Sequence, residues 1–140
     1  MIQLTEKEYN DMVEFYTNRR DQINEMAREV HKANEKWWKN INTGEPLDKS
    51  NFELKGTKLM LMVSEIAEAM EGERKELMDD KLPHRKMAEV ELADAVIRIF
   101  DYAAAMGYDL GGAYVEKMAY NAKREDHKIE NRLLPGGKKF

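Results

Sequence analysis

Two short acidic motifs dominate the chemistry this chain can do. Glu65 and Glu68 stand three residues apart in SEIAEAMEGE, and Glu91 and Asp94 do the same in EVELADAVIRIFD. A spacing of three puts both members of each pair on one helical face. Carboxylates so close repel one another unless a cation or a proton lies between them. Four converging carboxylates with neither His nor Cys form an all-oxygen donor set, which suits Mg²⁺, with Mn²⁺ as a possible substitute, rather than Zn²⁺. A third group has the opposite sign. Lys117, Asn121 and Arg124, in AYVEKMAYNAKRED, follow steps of four and three and read as one face of a later helix. An ammonium, an amide and a guanidinium in that order suit phosphate oxygens and a polar sugar or base edge. Each motif taken singly is commonly no more than a solvated helix face; the ordered set is more specific.

Aromatic residues supply a possible base-binding wall. Trp37 and Trp38 are consecutive in HKANEKWWKN, so on a helix they point about 100° apart and cannot both enter one core. One is expected in the core, the other against a stacked ring. Asn34 and His31, one and two turns earlier, read either as surface polar groups or as readers of base edges. Lys58 lies before the first acidic motif, where it can reach a phosphate or only offset the acids.

These residues need helices to hold them. The chain has 140 residues, no Cys, three Pro, eight Gly and ten Met. Glu, Lys, Ala, Leu and Met favour helix because they lose little rotamer freedom there. A Thr5–Glu8 capping box opens a helix running to about Lys39, with a possible break near residues 18–21. NINTGEPLDKS reads as a loop. Further helices are expected at about 57–78, 84–106 and 109–126, with Pro83 opening the third, Gly107 ending it and Asp109 capping the fourth. No β alternation is present. The expectation is an all-α bundle of four to five helices: one domain over residues 1–132 and a flexible tail over 133–140. The short proline-containing connection makes the second and third helices antiparallel neighbours. The broad apolar arc of the third helix, from Leu92 to Ala103, leads us to expect an oligomer.

Composition excludes several classes. Without Cys there is no disulfide frame, thiolate metal site or cysteine nucleophile. No apolar run is long enough to span a bilayer, and MIQLTEKEYNDM carries no signal core, so no membrane is expected and a cytoplasmic location is. The net charge of −4 opposes nucleic-acid binding, which depends on clustered Lys and Arg. Acidic residues are in excess over residues 41–110 and basic ones over 111–140.

The run from Lys58 to His127 resembles the MazG-like all-α nucleoside triphosphate pyrophosphohydrolases. Their pattern of ExxE, a gap, then ExxD is met here by Glu65 and Glu68, twenty-two intervening residues, and Glu91 and Asp94. KMAYNAKR is similar to the lysine–asparagine–arginine element on the last helix of those enzymes. The resemblance implies cleavage of an NTP or dNTP between its α and β phosphates to a monophosphate and pyrophosphate, for house-cleaning or control of the nucleotide pool. It implies a Mg²⁺ cofactor held by Glu65, Glu68, Glu91 and Asp94, and a homodimer or homotetramer. Glu65 is the implied residue that also orients or deprotonates the water. Substrate contacts fall to Lys117, Asn121, Arg124, Trp37, Trp38 and Lys58. Many relatives place another acid directly before the first Glu, where this chain has Ser64. The alternative is a non-catalytic helical module that binds nucleotide or protein on the same fold.

Overall fold

A computed structural model describes residues 4–140. Among these residues the architecture is all-α: α1 (Glu6–Asn34), α2 (Phe52–Arg74), α3 (Met87–Ala105), α4 (Leu110–Lys123) and α5 (Ile129–Leu133), with 3₁₀ turns at Glu35–Trp38 and Glu125–His127. No helix is long and apolar enough to cross a membrane. The chain divides into two compact units, one of residues 1–23 and 109–140, the other of residues 24–108.

Local chemistry sets the helix ends. Thr5 and Glu8 form the expected box: Thr5 N–H donates to Glu8 Oε2 at 2.8 Å, and Glu8 N–H donates to Thr5 Oγ1 at 3.3 Å. No break interrupts α1 at residues 18–21, but the α-helix gives way to the tighter 3₁₀ turn after Asn34 rather than reaching Lys39. α2 starts earlier than the sequence suggests. Asn51 caps it, its Oδ1 accepting from Leu54 N–H at 3.0 Å, while Ser50 donates its hydroxyl to Asp48. α2 also ends at Arg74, short of the expected Met78. α3 begins at Met87, three residues beyond the expected start; Pro83 stays in the connection, and Glu89 reaches back to Lys86 N–H. Gly107 ends α3 as expected, at φ +69°, a left-handed conformation that favours glycine. α4 begins where Asp109 accepts from Gly112 N–H at 2.8 Å. It stops at Lys123 instead of Asp126.

In the 24–108 unit α2 and α3 form an antiparallel hairpin. Gly72 lies against Met87 and Ala88, whereas Glu65, one helical stretch earlier, lies against Arg98 further along α3. A Cβ at Gly72 would come within 3.0 Å of Met87 Cβ, so the two helices meet there almost backbone to backbone. Ala69, Ala88 and Ala95 are buried along the same seam. The connection is pinned by buried Asp79, whose Oδ1 accepts from the backbone N–H groups of Lys81 and Leu82. Close packing through small residues turns the bulky ones outward. Leu59, Val63, Ile66 and Met70 on α2, and Leu92, Val96 and Ile99 on α3, are exposed; in sequence the first four share one apolar stripe and the last three belong to the broad apolar arc.

Trp38 anchors the rest of this unit. It is 3% exposed, with rings of His31 at 5.9 Å and Tyr102 at 6.3 Å. Leu47 N–H donates to the Trp38 carbonyl, and the 40–47 loop closes on itself through Asn40. In the other unit Gly111, buried at the start of α4, approaches the Arg20 backbone of α1 too closely to admit a side chain.

Candidate metal centre

The α2–α3 seam brings Glu65 of the first acidic motif together with both acids of the second. Glu65, Glu91 and Asp94 each offer an oxygen, and these three atoms lie within 4.8 Å of one another. An octahedral Mg²⁺ at about 2.1 Å from each ligand needs oxygens roughly 3.0–4.2 Å apart, so only a small contraction separates this cluster from a coordination set. Glu65 is buried; Glu91 and Asp94 are half-buried; Glu68, one turn along α2, is exposed. Glu68 falls outside the close trio, yet its charge acts on Glu91.

Crowding has an electrostatic result. Burial, a hydrogen bond to Glu65 and the charges of Glu68, Glu65 and Asp94 together push the Glu91 carboxyl up to about 7. In its neutral form Glu91 donates to Glu65 and takes the place of a cation between the acids. Glu65 has a second partner, Arg98, whose Nε–H donates to Glu65 Oε1 at 2.6 Å.

A cavity of about 520 Å³ opens beside these residues, lined by Asn34, Trp37, Lys58, Leu61, Glu65, Asp94, Ile97 and Arg98. It is charged on both sides, with Lys58 and Arg98 facing an acid pair, and carries an exposed indole. That indole belongs to Trp37, which is 52% exposed. Trp38 is the core residue of the pair. Its Nε1–H donates to Asp101 at 3.0 Å, and His31 Nδ1 lies 2.7 Å from the same carboxylate. His31 is thus engaged with Asp101, while Asn34 donates to the Val30 carbonyl at 3.0 Å at the cavity edge. Lys58 donates to the Trp37 carbonyl at 2.9 Å and stands 4.5 Å over the Trp38 ring. Burial pulls the Lys58 ammonium pKa down, opposed by nearby Asp101 and reinforced by Arg98.

Lys117, Asn121 and Arg124 belong to the unit of residues 1–23 and 109–140. They do not form the single helical face that their spacing suggests. α4 ends one residue before Arg124, which adopts an extended backbone. Its guanidinium is held by Asp126 through two hydrogen bonds, Nε to Oδ1 at 2.8 Å and Nη2 to Oδ2 at 2.5 Å. This pairing draws the Asp126 carboxyl down to about 2. Lys117 and Arg124 both lie over the Tyr120 ring, at 4.8 and 5.8 Å. The buried Oδ1 of Asn121 has no hydrogen-bond partner.

Sequence reasoning passed over Arg98. It groups with Glu91, Asp94 and Asp101 on a stripe that reads as the one wet face of α3. The signal available was the basic residue placed one turn after ExxD, among acids that need compensation. No family model matches this chain, and neither a curated protein nor a solved structure matches it.

Proposed function

We propose that this protein is a Mg²⁺-dependent nucleotide pyrophosphohydrolase of the MazG-like type, cleaving an NTP or dNTP between its α and β phosphates. The observation that carries the reading is the trio Glu65, Glu91 and Asp94, assembled across two helices beside a cavity with an exposed indole and two cations. The donor set fits a hard divalent cation: it is all oxygen, over-acidic, and leaves Glu91 near neutral pH with a proton that a cation would displace. Bound there, Mg²⁺ or Mn²⁺ supplies charge neutralisation for a polyphosphate and a more acidic water.

The chain's own residues do the remainder. Glu65, Glu91 and Asp94 hold the cation, and Glu68 adds negative charge one turn away. Glu65, at the junction of cluster and cavity, orients the attacking water. Trp37 offers its exposed face to a base, with Asn34 at the base edge and Leu61 and Ile97 as apolar floor. Lys58 faces the phosphates. The resemblance assigns phosphate contacts to Lys117, Asn121 and Arg124 as well, and Arg124 would exchange Asp126 for substrate in that role.

The apolar face of the α2–α3 hairpin supports a homodimer or homotetramer. Leu59, Val63, Ile66 and Met70 of α2 and Leu92, Val96 and Ile99 of α3 all stand exposed, more than a lone chain usually leaves open to water.

One observation favours a non-catalytic reading. The Arg98–Glu65 ion pair gives the cluster partial compensation without any metal. A panel of natural and modified NTPs and dNTPs, with Mg²⁺ or Mn²⁺, decides between the two. Pyrophosphate release from any member supports the enzyme; nucleotide binding without release of pyrophosphate supports the binding module.

A further inference from the structure

Arg98 follows Asp94 by one turn of α3, and its Nε–H reaches across to Glu65 Oε1 at 2.6 Å. The two side chains differ in exposure: Glu65 shows 11% of its surface and Arg98 41%. The carboxylate is fixed by the seam, whereas the guanidinium has room to leave. Arginine stays charged at any working pH, so it offsets one acid of the cluster permanently. Both residues line the cavity, together with Lys58 and Asp94.

We infer that Arg98 is the resident counter-ion of this centre, holding Glu65 in place while no divalent cation is bound and yielding that carboxylate when one arrives. This rests on the metal reading above and adds an order of events to it. A cation entering alone must displace a guanidinium from Glu65 and then remain beside it, two like charges in one small space. A cation entering with a polyphosphate meets no such conflict. The released guanidinium turns to the cavity, where with Lys58 it faces phosphate oxygens, a fork suited to them. Metal and nucleotide therefore bind cooperatively, and the metal alone binds weakly. Without Arg98 the bare cluster would take up cations in the absence of substrate.

Calorimetric titration of Mn²⁺ into the whole protein tests this without any turnover. Wild type is compared with Arg98→Gln and with Lys81→Gln, an exposed charge in the α2–α3 connection. The titrations are repeated with a triphosphate analogue whose α–β bridge is an imido group. Removing one like charge from a partly solvated site should tighten binding of Mn²⁺ alone by about tenfold. Lys81→Gln should leave it unchanged. The gain in Mn²⁺ affinity that the analogue brings should shrink in Arg98→Gln. Equal or weaker Mn²⁺ binding by a folded Arg98→Gln overturns the exchange while the metal site stands. Failure of wild type to bind Mn²⁺ even with the analogue removes the metal site itself, and the exchange with it. If circular dichroism shows Arg98→Gln unfolded, Arg98→Lys decides: it keeps the charge on a stem that leaves Glu65 more readily. Tighter Mn²⁺ binding than wild type then supports the exchange, and equal or weaker binding overturns it.

Discussion

Glu91→Gln should make the metal-free protein more stable above neutral pH, even though it removes a proposed ligand. The folded chain holds the Glu91 carboxyl at about 7 against an ordinary value of 4.5. Below about pH 4.5 the group is protonated in both folded and unfolded chains and contributes nothing to the difference. Between about 4.5 and 7 the unfolded chain releases its proton first, so stability falls as pH rises, and above about 7 the whole cost is present. A shift of this size corresponds to roughly 3.4 kcal/mol at about 1.36 kcal/mol for each unit. Glu91 retains contact with solvent, and screening reduces the expected figure to about 1–2 kcal/mol. Gln has the same shape, cannot ionise, and donates to Glu65 as the protonated acid does. Thermal unfolding in EDTA should therefore give equal midpoints for the two proteins near pH 4.5. By pH 8 the variant should lead by about 4–8 °C, on a scale of about 4 °C per kcal/mol for a domain of this size. Acids with depressed values, such as Asp126, impose their own trend on both proteins and cancel in the comparison. Saturating Mg²⁺ or Mn²⁺ should reverse the order, because a cation stabilises only the chain that binds it well. A variant less stable than wild type at pH 8 without metal, or a gap that does not change with pH, would refute the account of crowded acids.

Five other substitutions probe the frame around the site. Gly72→Ala should destabilise by about 1–3 kcal/mol in urea unfolding despite better helix propensity, since its Cβ meets Met87 at 3.0 Å; Gly56→Ala, with open space at its Cβ, should be neutral or stabilising by up to about 1 kcal/mol. Ile66→Glu places a charge in the exposed apolar face of α2 and should shift sedimentation velocity from oligomer towards monomer, and a wild type already monomeric would remove the interface. Trp38→Ala should cost about 3–5 kcal/mol of stability through its buried ring. Trp37→Ala should keep the fold and raise KM by about ten- to a hundredfold if its indole stacks a base; an unchanged KM would leave Trp37 as surface.

How far the sequence revealed this arrangement depends on which neighbours each residue meets. The ExxD pair was legible because a three-residue step on a helix fixes a shared face, and the connection through Pro83 leaves the two helices little choice but to run antiparallel; of ExxE only Glu65 joins the trio, while Glu68 stays exposed. Asp101 was not legible. Its stripe looked solvated until Trp38 and His31, more than sixty residues earlier, supplied the donors that bury it. The end of α4 was misjudged for a local reason, since Arg124 finds Asp126 two residues on and leaves the helix to do so. The most instructive case is the apolar stripe of α2. Hydrophobic spacing puts Leu59, Val63, Ile66 and Met70 on one apolar stripe, yet the helix pair packs through Ala69, Gly72, Ala88 and Ala95, residues too small to register in a hydrophobic pattern. That choice of seam has two consequences with one cause. Only helices that approach this closely can bring side chains as short as Asp94 and as fixed as Glu65 within reach of a single cation. The same approach excludes bulky residues from the seam and leaves them exposed on the outer face. On this account the acidic site and the apolar surface are linked: a substitution that widens the seam should loosen the carboxylate trio and reshape the outer face together.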